Sequence, residues 1–299
     1  MMKIKIGKIE LKNPVMVASG TFGYAKEFEK LVNLKHLGAI ITKTITLNPR
    51  QGNPMPRICE TASGMLNAIG LQNEGIDDFI KEKMPYLSKI GVPIIISISG
   101  NNIDEFFILA RRLNKIKAIS GIELNISCPN IKCRGLVAQD KKETYEVVKA
   151  VRKTTSKTVI TKLSPNVTDI TEIAKAAEDA GSDAVSLVNT FLGMAIDVET
   201  GKSKLGNITG GLSGPCIKPI ALRMVHEVSR NIDIPVIGMG GIMNAGDAIE
   251  FILAGATAIQ VGTANFIEPG VSGKIIKGIE AYLKKHKIKK FQDIIGRTT

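Results

Sequence analysis

Eight short apolar, β-rich runs recur along the chain, at residues 15–19, 39–42, 93–99, 121–126, 158–163, 184–188, 235–239 and 257–261. Stretches with apolar residues at helical spacing lie between them, at residues 103–117, 143–153, 170–180 and 217–229. Alternation of this kind is the mark of repeated βα units and a parallel sheet. Eight such units are the number that closes a (β/α)8 barrel. A shorter run ahead of them, residues 4–11, alternates with period two around Gly7 and is expected to form a hairpin that plugs the base of the barrel. The expected fold is α/β, a single (β/α)8 TIM barrel spanning residues 1–299, with an N-terminal β-hairpin at its base and insertions over its C-terminal face.

Two segments exceed what a minimal barrel needs. Residues 48–74 carry Pro49, Pro54 and Pro56 among Gly52, Gly64 and Gly70, and residues 191–214 form a second glycine-rich insertion. Both follow strand C-termini, so both are expected over the same face, as a lid or wall of a site. No shift in composition marks a second domain. Among the helices, Asp104 is placed to cap one and Pro215 stands near the first turn of another. Residues 275–290 read as an amphipathic basic helix covering the barrel.

Composition narrows the function classes. No apolar run is long enough to cross a bilayer and the N-terminal segment lacks a signal-peptide hydrophobic region, so a cytoplasmic protein is expected. Four cysteines without a CxxC pair argue against a disulfide framework or a structural zinc site, and no metal is expected. A net charge of +12 raises the question of nucleic acid, but the basic residues are dispersed and aromatics make up only 4% with no Trp, which poorly supplies a base-stacking platform.

The ends of the strands carry the chemistry. They read Ser19-Gly20-Thr21, Lys43-Thr44, Ser97 with Ser99-Gly100, Asn125 with Cys128, Lys162, Asn189-Thr190, Gly240-Gly241 and Gly262-Thr263. A purely structural barrel has no need of lysines and asparagines converging there, because a buried charge is expensive without a partner. The late glycines occupy the places after strands seven and eight where barrels bind phosphate through backbone N–H groups. Met243 stands where a dinucleotide fingerprint needs its third glycine, so that motif is absent. Within Asn125-Ile126-Ser127-Cys128-Pro129-Asn130 a thiol lies between carboxamides, and Pro129 ends the strand. Cys128 could be an inert thiol, an acid–base group or a nucleophile. All three histidines, His36, His226 and His286, fall in helical or helix-flanking segments, which raises the standing of Cys128 as a base. Lys43 and Lys162 could stabilise negative charge, with Schiff-base chemistry at Lys162 as the rival.

Five stretches together resemble the dihydroorotate dehydrogenases, FMN enzymes of pyrimidine synthesis. They are Asn125–Asn130, Asn67-Ala-Ile-Gly-Leu-Gln-Asn73, Leu212-Ser-Gly-Pro215, Gly238-Met-Gly-Gly-Ile242 and Val261-Gly-Thr263, in family order over nearly the whole chain. Gly193-Met-Ala-Ile-Asp197, followed by Gly210-Gly-Leu-Ser-Gly-Pro215, is similar to the class 1B catalytic subunit in particular. The resemblance implies that Cys128 removes the C5 proton of dihydroorotate while hydride leaves C6 for flavin N5. It implies FMN contacts at Ser19, Lys43, Thr44, Ser97, Asn125, Lys162, Val188, Gly214, Gly240, Gly241, Gly262 and Thr263, although class 1B relatives usually carry Asn where this chain has Ser97. Orotate contacts are implied at Lys43, Asn67, Ala68, Ile69, Gly70, Leu71, Asn125, Asn130, Asn189 and Thr190.

Class 1B enzymes work with a partner subunit bearing FAD and a 2Fe-2S cluster that passes electrons to NAD. The resemblance therefore implies a homodimer of catalytic subunits within a heterotetramer, with FAD and the cluster confined to the partner, and no association with nucleic acid or membrane. A fumarate-reducing class 1A homodimer is the nearest alternative. A Schiff-base aldolase using Lys162 is a more distant one.

Overall fold

The computed structural model describes residues 2–127 and 137–298, so Cys128, Asn130 and Cys133 lie outside the described residues. In chain order the strands are β1 (Ile4–Ile6), β2 (Ile9–Leu11), β3 (Val15–Val17), β4 (Ala39–Ile41), β5 (Ile58–Thr61), β6 (Gly64–Asn67), β7 (Ile94–Ile98), β8 (Ile119–Asn125), β9 (Thr158–Lys162), β10 (Ala184–Leu187), β11 (Phe191–Met194), β12 (Thr209–Ser213), β13 (Val236–Met239) and β14 (Ala258–Val261). The α-helices are α1 (Gly75–Asp78), α2 (Met84–Leu87), α3 (Ile103–Asn114), α4 (Lys141–Arg152), α5 (Ile170–Asp179), α6 (Lys218–Ser229), α7 (Ala245–Leu253), α8 (Ala264–Ile267) and α9 (Val271–Lys285).

The eight expected strands all form, and they close into a parallel barrel in the order β10-β13-β14-β3-β4-β7-β8-β9. Ile40, Ile41, Ile94, Ile95, Ile96, Ile122, Val159 and Ile160 are buried, as strands covered on both faces require. Inside the barrel, Glu123 of β8 accepts hydrogen bonds from Ser186 Oγ of β10 at 3.1 Å and from Gln260 Nε2 of β14 at 2.8 Å. Neither strand is a neighbour of β8, so the three side chains meet across the lumen. Strand alternation then carries Asn125, two residues further on, to the same inner face at the C-terminal mouth.

The N-terminal hairpin, β1 with β2, seals the base. Lys8 N donates to Thr158 Oγ1 at 2.9 Å, and a Cβ on Gly121 would lie 2.9 Å from Ile9 Cδ1. Gly7 turns the hairpin at φ +55°, and any Cβ there would strike Thr158 and Asp183, which leaves glycine as the residue that fits.

Several local boundaries differ from the sequence expectation. The cap of α3 is Asn102, whose side chain accepts from Glu105 N, and Asp104 lies in the first turn, where its charge suits the helix dipole. Helix α4 begins two residues early, capped by Asp140, and α9 starts a turn before residue 275 and ends at Lys285. After β3 the connection forms only 3-10 turns, Lys26–Phe28 and Leu34–His36. The two insertions are not plain loops. Hairpins β5–β6 and β11–β12 pair through β6 and β12 into an antiparallel sheet ordered β11-β12-β6-β5. Glycines within these strands hide the period-two signal, and distant partners supply the ladder. Leu66, Ala68 and Leu205 form a small apolar cluster of their own in this region.

Candidate active site

A cavity of about 700 Å³ opens at the C-terminal mouth of the barrel, between the strand ends and the inserted sheet. Among the described residues, every position that the family resemblance marks for flavin or orotate lines this cavity except Ser97. Ser97 is fully buried on β7, in register with Glu123. Its Oγ lies 2.9 Å from Thr44 Oγ1, so it supports a residue of the lining without reaching the cavity itself.

Polar side chains from different strands are tied together along one wall. Asn189 Nδ2 donates to Asn125 Oδ1 at 3.2 Å and to Ser127 Oγ at 2.8 Å, while Asn189 Oδ1 accepts from Thr190 N at 2.8 Å. The Asn125 carbonyl accepts from Ser99 Oγ at 2.9 Å. Asn67 enters from the inserted sheet, donating to Gly211 O at 3.3 Å. These contacts fix carboxamides that can both donate to and accept from a planar ring carrying N–H and C=O groups. Ser127 immediately precedes Cys128 in sequence and is itself part of the lining.

Lys43 and Lys162 both line the cavity, and neither ammonium makes a hydrogen bond or ion pair with a described residue. Lys162 is only 6% exposed. A buried ammonium without an anion is costly, so the site suits a negatively charged occupant. Also in the lining, Gly214, Gly240 and Gly241 adopt φ of +102°, +123° and +76°, where side chains are strained. A Cβ on Gly262 would meet nothing closer than Ala18 Cβ at 3.8 Å, leaving its backbone open to the cavity. Thr263 Oγ1 donates to Ser213 Oγ at 2.8 Å. A glycine cradle, two lysines and a set of carboxamides that line one cavity of about 700 Å³ fit a flavin phosphate and ring.

Further lining residues escaped the sequence reading. Asn166 clamps the segment after Asn189: its Nδ2 donates to Thr190 O at 3.0 Å and its Oδ1 accepts from Leu192 N at 2.9 Å. The pattern Ser164-Pro165-Asn166 echoes Cys128-Pro129-Asn130 and was the available signal. Arg50 also reaches the cavity and hydrogen-bonds Asn101. Nothing in its proline-rich surroundings distinguishes it. None of the three histidines lines the cavity.

The family profile described as dihydroorotate dehydrogenase matches residues 1–283. The catalytic subunit of dihydroorotate dehydrogenase B (NAD(+)) from Geobacter sulfurreducens is 56% identical over 296 residues, covering 99% of this chain and 97% of that protein. The subunit of the same name from Geobacter metallireducens is 55% identical with the same coverage. That of Bacteroides thetaiotaomicron is 53% identical over 99% of this chain and 98% of its own length.

Proposed function

This chain belongs to the dihydroorotate dehydrogenase family, and from that premise we propose that it oxidises (S)-dihydroorotate to orotate in de novo pyrimidine synthesis as a B-type catalytic subunit. The observation that carries the proposal is the pairing, in one cavity, of two lysines lacking anionic partners among the described residues with a carboxamide wall and a glycine cradle.

FMN, held by the cradle and by Ser19, Thr44, Asn125 and Lys162, supplies the hydride acceptor. Asn67, Asn125, Asn130 and Asn189 hold the pyrimidine ring, and the backbone of residues 68–71 with Thr190 closes around it. Lys43 and Lys162 offset negative charge in the site as the reaction proceeds. Cys128 Sγ takes the C5 proton as general base, a role open to a thiol whose ordinary pKa of ~8.5 lies near working pH. The Asn189–Ser127 hydrogen bond anchors the chain one residue ahead of that thiol.

The whole chain acts as one domain in the cytoplasm, as a homodimer within a heterotetramer. A partner carrying FAD and a 2Fe-2S cluster delivers the electrons to NAD, in keeping with the names of the relatives. No helix of the described residues is long and apolar enough to cross a membrane. The purified chain is expected to be yellow and to bleach anaerobically when dihydroorotate is added. Cys128→Ala should retain the colour and slow bleaching by ~10²-fold or more. A colourless protein that takes up no FMN would overturn the proposal, and near-normal bleaching in the variant would remove Cys128 from its role.

A further inference from the structure

Two charged residues just outside the cavity are built into its phosphate end. Asp247, in the first turn of α7 and 8% exposed, uses both carboxylate oxygens. Oδ2 accepts from Met243 N at 2.9 Å, and Oδ1 accepts from Lys218 Nζ at 2.7 Å. Lys218 Nζ also donates to Glu250 Oε1 at 2.9 Å. Met243 and Gly241 line the cavity, whereas Lys218 and Asp247 do not.

The backbone leaves no slack between these groups and the cradle. A Cβ on Gly241 would lie 2.8 Å from Lys218 Cβ and 2.9 Å from both Lys218 N and Gly214 O. A Cβ on its neighbour Gly240 would lie 2.8 Å from Ala221 Cβ of α6, and Gly241 therefore rests directly on the first residue of that helix. A lysine there is unfavourable to the helix dipole, so local helix energetics do not account for it. Its hydrogen bonds to Asp247 and Glu250, which accept, raise its pKa and keep it charged. With its ammonium committed to two carboxylates, Lys218 acts through the loop it holds.

We propose that Lys218 and Asp247 form a clasp between α6 and α7 that sets the 240–243 turn, making them positioning residues for selectivity toward a phosphorylated flavin. The inference rests on the FMN reading of the cavity. A cradle that reads a phosphate through backbone N–H groups depends on their orientation, and groups outside the cavity fix that orientation.

The test strips flavin from the full chain and titrates it with FMN and with riboflavin, following quenching of flavin fluorescence. Lys218→Met and Asp247→Asn should weaken FMN by ~10-fold, the scale of one lost charge-assisted hydrogen bond, while riboflavin affinity stays within ~2-fold because it has no phosphate to place. Lys218→Arg, which can still reach both carboxylates, should restore most of the preference. An equal loss for the two flavins, including loss of both through misfolding, overturns the clasp, as does an unchanged FMN-to-riboflavin ratio. A wild-type chain that binds neither flavin fails at the FMN reading itself and is distinguished on that ground.

Discussion

At the scale of single residues, Lys162 shows how function and stability pull apart. It ends β9 directly after Ile160 and Thr161 and turns its charge into the barrel mouth, 6% exposed and without an anionic partner among the described residues. In the flavin-free protein that charge is a liability. Lys162→Met is therefore expected to stabilise the flavin-free chain by ~1 kcal/mol in urea melts. The same variant should slow single-turnover flavin reduction by dihydroorotate by ~10²-fold, through loss of charge stabilisation. A destabilised variant with normal reduction would contradict both halves. Lys162, Lys43 and Asn125 were legible in the sequence because a polar residue closing an apolar strand has no structural reason to be there. Asn166 and Arg50 were not, because their roles depend on which backbone they meet. Ser97 shows the converse: it belongs to the right strand, but register sets it level with Glu123 inside the barrel, where it bonds Thr44 instead of lining the cavity.

At the scale of elements, helices α3, α4, α5 and α7 around the barrel begin on side-chain caps that hold their first turns, whereas α6 and α9 have none. Asp169 caps α5, accepting from Thr171 N at 2.8 Å and from Thr171 Oγ1 at 2.6 Å. The Thr171 hydroxyl, followed by its backbone amide, holds the Asp169 carboxyl below its ordinary pKa. A depressed folded-state pKa contributes stability that is present above the unfolded value of ~3.9 and is lost as pH falls through the lower folded value. Asp169→Ala should thus cost about 1 kcal/mol at neutral pH, and the gap from wild type in denaturant melts should narrow below pH ~4. A gap that does not change with pH would show that charge plays no part in the cap. The Asn102 cap of α3 was misassigned to Asp104 because both lie within the same turn, and only backbone geometry tells them apart. The four inserted strands were hidden for a related reason. Thr209-Gly-Gly-Leu-Ser213, with two glycines, has weak strand propensity and becomes a strand by pairing with β11 and β6.

At the scale of the molecule, the barrel and the inserted sheet divide the labour between a rigid floor and a wall. The floor includes the buried Glu123–Gln260–Ser186 cluster, and the wall brings Asn67 and residues 68–71 to the same cavity as Asn189. The chain carries no GxGxxG dinucleotide fingerprint, since Met243 stands at the third glycine. The isolated chain is expected to reduce artificial acceptors but not NAD, and to gain NAD reduction when mixed with a partner subunit of the iron–sulfur flavoprotein kind we propose. Rapid fumarate reduction by the chain alone would instead place it with the fumarate-dependent enzymes. The sequence by itself determined the eight-stranded barrel, the polar strand ends and the family, because each is written in local periodicity or in contiguous motifs. Only the tertiary structure decided which of those groups share a cavity, that two insertions join into one sheet, and that Lys218 and Asp247 brace the glycine cradle. Those are contacts between segments far apart in the chain, set by barrel closure and strand register rather than by any local pattern.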